Sequence, residues 1–297
     1  MRKHSFFALV TITAIICCVR TSRADLLFSH GTDTIAIAGN TPQSTACTYE
    51  TVVELNSTSY TGGWGSGGNV YVGSGLIFNT WQDNLEDEVL TVLNGGAALG
   101  GAYPLTWPQG VHGPTNLQTG QWYDLAYVYD GSQERIYVDG MLAGSVSASG
   151  GISSGSGAIG TVGALEGDGF LNPSFLGEIQ SLRISNTARY SGSSYSATLG
   201  DFSDDASTQL LYDFDTAPVG GKIQDLSGNG HTGTLGAGFS GATSPTFITV
   251  PEPSSMMLIG FVLGMCAQRR RADKNRIIPA LGCSKIMPMT RSERFFR

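Results

Sequence analysis

Three groups of residues in this 297-residue chain have types and spacings that could do chemistry. The first is Asn84-Leu-Glu-Asp-Glu-Val-Leu90. In an extended chain Glu86 and Glu88 would point to one side and Asp87 to the other, because successive side chains alternate. Two carboxyls about 5–5.5 Å apart can act as nucleophile and acid/base in glycoside cleavage. Here the pair has no third carboxylate on its own side to tune it. A solvated acidic loop or sheet edge is the reading it supports, and no catalytic role is assigned.

The second group is aromatic. Trp64 sits within Gly62-Gly-Trp-Gly-Ser-Gly-Gly68, and Tyr103 and Trp107 lie in the proline-punctuated stretch 101–121. A flat aromatic face packs well against the apolar C–H side of a sugar, which makes these three the ligand-binding candidates. Trp64 has few polar neighbours, and a Trp tucked into a sandwich edge is its commoner setting. Pro104, Pro108 and Pro114 predict an exposed excursion without regular pairing, since proline cannot donate to a ladder. That excursion reads equally as a ligand edge or as a lid over the core.

The third group is acidic. Leu210-Leu-Tyr-Asp-Phe-Asp215 reads as a strand with Leu211, Asp213 and Asp215 on one parity, and Asp225-Leu-Ser-Gly-Asn-Gly-His231 follows. Asp225, Ser227, Asn229 and Gly230 fit the first half of a calcium loop, but its closing position is Gly236, where a bidentate Glu is required. A complete loop of that type is therefore absent. Calcium held among Asp213, Asp215, Asp225 and Asn229 is the metal this group could take, and a Gly/Asn turn is its ordinary reading. His30, His112 and His231 are far apart and lack zinc spacing. No Ser-His-Asp or Cys-His set is visible, and no cofactor is required.

The elements that must position these groups are strands. In Trp122-Tyr-Asp-Leu-Ala-Tyr-Val-Tyr-Asp130, Tyr123, Leu125, Tyr127 and Tyr129 share one parity, the pattern of a half-buried strand. Arg135-Ile-Tyr-Val-Asp-Gly140 follows with Ile136 and Val138 on one side, and Asp139-Gly140 supplies positive φ for a two-residue turn into Met141–Val146. Leu26–Phe28, Thr34–Ile37 and Tyr49–Leu55 read as earlier strands, and 147–175 as glycine- and serine-rich turns around Ala158–Val162. In Phe175–Ile184, Ile179 is opposite in parity to Leu182 and Ile184, which predicts a bulge. With 41 glycines and no long 3.6-residue period outside the two ends, the fold class is all-β.

Charge separates the ends from the middle. Residues 25–250 carry four basic and 21 acidic side chains, a net charge of −17 against −7 for the whole chain. Such a surface repels nucleic acid and anionic lipid, and suits cations or neutral polymers. Arg183 and Arg189 are half of those four cations, and are expected to pair structurally with carboxylates. Of five cysteines only Cys47 lies in this region, so the fold is held by its core and not by an internal disulfide.

Taken in order, Trp122–Asp130, Arg135–Leu142, Ala158–Gly160 and Phe175-Leu-Gly-Glu-Ile-Gln-Ser-Leu-Arg-Ile-Ser-Asn-Thr-Ala-Arg-Tyr190 resemble bacterial laminin-G-like domains, a branch of the concanavalin A-like lectin/glucanase superfamily. Asp225-Leu-Ser-Gly-Asn-Gly resembles a segment that recurs in the same family. The resemblance covers roughly residues 26–240 and implies a two-sheet antiparallel jelly-roll sandwich; it bears on fold more than on ligand. Glycanases of that superfamily carry Glu-x-Asp-x-x-Glu or Glu-x-Asp-x-Glu on one strand, and residues 84–90 depart from both.

The ends read as targeting signals, apolar helices flanking the sandwich. Residues 1–24 form a signal peptide: Arg2-Lys3, the apolar run Phe6–Val19, and Ser22-Arg23-Ala24 as a small-x-small cleavage site that would leave Asp25 first. At the other end Pro251-Glu252-Pro253 leads into 12 apolar residues, 256–267, and then Arg269, Arg270 and Arg271. This arrangement resembles the PEP-CTERM sorting signal of Gram-negative bacteria, whose partner is an exosortase, a membrane transpeptidase-like enzyme. Twelve residues fall short of the about 20 of a stable span, which suits a transient inner-membrane tether with its arginines cytoplasmic. The expected organisation is 1–24 signal peptide, 25–245 laminin-G-like domain, 250–271 sorting signal, and 272–297 a basic tail without an assigned role. The expected product is an exported cell-surface or matrix protein with a non-catalytic module for a glycan such as an exopolysaccharide. A structural or adhesive matrix protein is the alternative, and a glycoside hydrolase stands behind both.

Overall fold

The computed structural model describes residues 23–39, 45–60, 74–81, 88–102, 105–106, 110–152, 159–167 and 170–250. In chain order its strands are β1 (Arg23–Phe28), β2 (Thr34–Ile37), β3 (Cys47–Leu55), β4 (Ser74–Trp81), β5 (Glu88–Leu93) and β6 (Ala97–Ala102). Next come β7 (Val111–Asn116), β8 (Trp122–Tyr129), β9 (Gln133–Val138), β10 (Met141–Ser147), β11 (Ile159–Gly163) and β12 (Leu165–Gly167). The last six are β13 (Phe170–Asn172), β14 (Gly177–Ser185), β15 (Thr208–Asp213), β16 (Lys222–Ile223), β17 (Gly233–Leu235) and β18 (Thr246–Val250).

Two eight-stranded antiparallel sheets carry the fold. The first runs β10-β9-β8-β3-β14-β1-β18, with β15 also paired to β14, and the second runs β16-β17-β2-β11-β4-β5-β6-β7. The inward parities meet in one core. Tyr123, Leu125, Tyr127 and Tyr129 of β8 and Ile136 and Val138 of β9 join Leu26, Phe28, Tyr49 and Leu55 against Ile35, Phe78, Leu90, Val92 and Val162 of the second sheet. Tyr49 stacks between Phe78 and Tyr127 at centroid distances of 5.0 and 6.1 Å. This is the two-sheet antiparallel sandwich that the laminin-G-like resemblance implied. The terminal targeting segments lie outside the described residues.

Local expectations fare unevenly. Asp139 and Gly140 take positive φ, 49° and 73°, as the two-residue turn requires. A Cβ at Gly140 would come within 2.3 Å of the Tyr195 carbonyl, so glycine is demanded twice over. The bulge falls in β14 between Ile179 and Ser181. The stretch 101–121 is not free of pairing: Val111–Asn116 forms edge strand β7 on β6, with Pro114 on the only kind of strand that tolerates it. The glycine-rich stretch 147–175 contains a further hairpin, β12–β13. Strand β8 is buried on both faces, because residues 186–205 return over the outer side of the first sheet. There Ala126, Val128 and Tyr137 lie under Ala188, Tyr190 and Tyr195, and Val52 and Leu211 under Phe202 and Trp122. The compact unit spans Ser22–Val250, and its sheet continues past residue 245 as β18, whose Val250 is in register with Arg23.

Candidate functional site

The outer face of the first sheet holds most of the buried charge. Glu50 of β3 and Arg183 of β14 sit opposite each other, and Arg183 donates to Glu50 Oε1 at 3.0 Å and to the Ser203 carbonyl at 2.7 Å. Arg189 grips Asp205 through two bonds of 2.7 and 2.8 Å and lies 3.7 Å from Glu50. Both arginines are therefore structural links, as their position in an acidic chain implied; the sequence could not name their partners. Bidentate pairing with Arg189 holds the Asp205 carboxyl well below the usual range. Beside this network Asp124 is buried and accepts from Tyr195 Oη at 2.6 Å and Thr198 N at 2.9 Å. Burial pushes it up to about 6 despite those bonds.

At the far end of the same face β1 and β15 both pair with β14, and their ends meet. Ser181 of β14 is in register with Asp213, and Ala24 N donates to Asp215 Oδ1 at 3.4 Å. A cleft of about 410 Å³ opens between the end of β15 and the chain that follows it, lined among others by Asp213, Asp215, Lys222, Gln224, Val219 and Leu226. Two carboxylates, an ammonium and an amide thus share a wall with Val219, 81% exposed, and Leu226, 40% exposed. Hydrogen-bonding groups beside apolar surface are what a polyhydroxylated ring with one C–H face can use.

The four residues considered for calcium divide. Asp225 accepts from Leu211 N, Ser227 N, Ser227 Oγ and His231 N, bonds that hold its carboxyl low against its burial. Asn229 gives its amide protons to the carbonyls of Thr208 and Gln209. Both build the turn that locks residues 225–231 onto β15. Asp213 and Asp215 remain together in the cleft. Two carboxylates are short of the six to eight oxygens calcium takes, and among the described residues no three His, Cys, Asp or Glu side chains converge on a metal position. Trp64, Tyr103, Trp107, Glu86 and the sorting-signal residues lie outside the described residues, and Glu88 is described only as the first residue of β5. Sequence reasoning missed Glu134, which shares the inward parity of Ile136 and Val138. It is buried in the sandwich, where it accepts from Tyr127 Oη at 2.7 Å, Ala102 N at 3.2 Å and the Thr106 hydroxyl, and burial raises its pKa.

Comparison with known proteins now decides the family. A profile of the concanavalin A-like lectin/glucanases superfamily matches residues 29–192, more than half of the chain. The chain belongs to that superfamily. A second profile, the PEP-CTERM protein-sorting motif, matches residues 249–271. Among solved structures, one similar to this member is a Bacteroides ovatus protein described as a candidate carbohydrate-binding protein, with a TM-score of 0.56 and 17% identity. The alignment covers 78% of this chain and 61% of that protein, so the chain spans about three-fifths of its relative's length. A heptameric SAP-like pentraxin from Limulus polyphemus aligns at 18% identity and a TM-score of 0.44, covering 58% of this chain and 80% of that one. At 17% identity the likeness to the Bacteroides ovatus protein speaks for fold alone. No curated protein matches the chain. The family member is thus an exported, sorted protein with a lectin-type domain.

Proposed function

We propose that the domain is a non-catalytic glycan-recognition module displayed on the surface or in the matrix of a Gram-negative bacterium after exosortase processing. The observation that carries this reading is the cleft between the end of β15 and residues 215–226, where carboxylates, an amide and exposed aliphatic side chains share one wall. Carboxylate oxygens accept pairs of sugar hydroxyls, while Val219 and Leu226 offer cover for ring C–H groups. Trp64, Tyr103 and Trp107 remain candidates for stacking on further sugar units. The acid pair of residues 84–90 lacks the third carboxylate of the superfamily's glycanases, which favours binding over cleavage. The processing enzyme would act at Pro251-Glu252-Pro253, directly after β18.

The test is calorimetry of the full-length protein against neutral bacterial and algal polysaccharides, with calcium or chelator present and reducing ends assayed in parallel. Saturable binding without new reducing ends, weakened by Asp213→Asn or Trp107→Ala, is the expected result. Turnover lost in Glu86→Gln would replace the reading with a hydrolase, and neither binding nor cleavage would leave a surface scaffold. A response confined to the calcium arm and lost in Asp215→Asn would assign the ion to the cleft.

A further inference from the structure

Arg23 and Ala24 are the two residues of the leader that the described sheet includes, and Arg23 is the charged one. In β1 the side chains of Ala24, Leu26 and Phe28 enter the core, so Arg23 and Asp25 emerge on the outer face. The Arg23 guanidinium lies 3.9 Å above the Trp122 ring, with Nε 3.1 Å from Asp25 Oδ1 and Nη2 3.1 Å from Oδ2. An aromatic face backed by a buried carboxylate is how proteins hold organic cations. Here the cation comes from a segment that export removes: cleavage after Ala24, at Ser22-Arg23-Ala24, takes Arg23 away.

What remains has no side chain to take its place, and the one cation that cleavage supplies is the new α-amino group of Asp25. Asp25 is 0% exposed, and Arg23 is the side chain that satisfies it; Oδ1 has no hydrogen-bond donor even with Arg23 present. Gln180, 3% exposed, gives Nε2 to Asp201 at 3.3 Å and leaves Oε1 without a partner. Burial raises the pKa of Asp25, and Asp215 and Asp201 raise it further once Arg23 no longer opposes them. Asp201 is raised by burial and then by Asp215 and Asp213, and Glu178 by burial and then by Glu54, opposite it on β3. The domain's arginines are engaged elsewhere, Arg135 with Asp130, Arg183 with Glu50 and Arg189 with Asp205, while Lys222 donates to Thr234 and lines the cleft beside Asp213 and Asp215. A buried carboxylate stripped of its partner is costly, so the vacated place favours another cation.

We propose that loss of the leader uncovers a binding site for an amino sugar bearing a free ammonium, with Trp122 as the stacking face, Asp25 as the buried counter-charge, and Asp201, Asp213 and Asp215 as the acidic rim. The proposal deepens the glycan reading and rests on it for the class of ligand. A protonated hexosamine meets both demands at once: its C–H face covers the indole as the arginine stem does, and its ammonium takes the guanidinium's place. A uronic acid polymer is repelled by the same rim. N-acetylation removes the charge and with it the fit. The leader arginine thus keeps the site closed until the chain has left the cell.

The test uses glucosamine tetramer and its N-acetylated counterpart as probes. The proteins are the full-length chain, full-length Arg23→Ala, Arg23→Ala/Asp25→Asn, and the processed protein beginning at Asp25. Arg23→Ala and the processed protein should bind glucosamine tetramer at least about ten-fold more tightly than the full-length chain, with affinity falling as salt rises. The gain should be lost in the double variant, whose unchanged melting temperature shows that it is folded. No gain in either vacated form, as when the new α-amino group of Asp25 itself closes the site, overturns the proposal. An equal gain for the N-acetylated tetramer overturns it too, while leaving the glycan reading intact. Failure of both tetramers and of the neutral polysaccharides sinks both.

Discussion

Two acidic patches on one face of one sheet solve the same electrostatic problem differently. Around Glu50 and Asp205, two arginines from the domain itself close the network, and the Tyr190 hydroxyl adds a bond of 2.8 Å to Glu50. Around Asp25 and Asp201 the cation is Arg23, set among Asp213, Asp215, the Gln180 amide and the Trp122 ring. Identical residue types therefore mean a structural brace in one place and an open demand for positive charge in the other. Under the proposed cleavage after Ala24, the difference is whether the counter-ion stays with the folded unit.

The largest expected effect breaks the brace. Arg183→Met strands Glu50 beneath residues 186–205 and should cost about 3–5 kcal/mol, read as a lower urea midpoint with little dependence on salt. A loss below about 1 kcal/mol would mean that Tyr190 and Arg189 suffice, and the contrast between the patches would fade.

Acidity separates Asp124 from Asp205. Burial pushes the Asp124 carboxyl up to about 6, above its ordinary range, so the native state holds its proton more tightly than the unfolded chain does. Its contribution is most favourable below about pH 4 and is lost as pH rises through about 6, which amounts to roughly 2–3 kcal/mol. Asp205, held low by Arg189, runs the other way: its stabilisation is present above its unfolded value and lost as pH falls further. Unfolding free energy measured between pH 3 and 8 should therefore decline toward neutral pH, and Asp124→Asn should flatten that decline. A curve that Asp124→Asn leaves unchanged would refute the assignment.

The smallest effect sharpens the comparison. Arg23→Ala should lower the stability of the full-length protein by about 1–2 kcal/mol, because Asp25 is buried but its carboxyl, already raised by burial, can take up a proton when Arg23 leaves. A loss equal to that of Arg183→Met would make Arg23 a brace as well.

Alternation of apolar side chains fixed the strands β3, β8, β9 and β14 in advance, down to the bulge beside Gln180, because a buried face enforces period two. Asp139-Gly140 announced its turn for the same local reason, a backbone angle that few residues tolerate. The pairing of Arg183 and Arg189 with carboxylates followed from scarcity: four cations among 21 acids must find partners. Glu134 was within reach of the same alternation, whereas Trp122 read only as the opening of a strand. Nothing in residues 122–130 reveals that the outer face is covered too, since the cover comes from residues 186–205.

The sequence by itself determined the sandwich, its family, the two targeting ends and the acidity of the middle, all of which depend on local pattern or composition. Only the tertiary structure decided which carboxylates share a field. Asp25 and Asp215 lie 190 residues apart in sequence, and they meet because β1 and β15 pair with the same side of β14 and end against each other. Electrostatic coupling depends on distance through space and on burial, and neither is written in the spacing of residues along a chain.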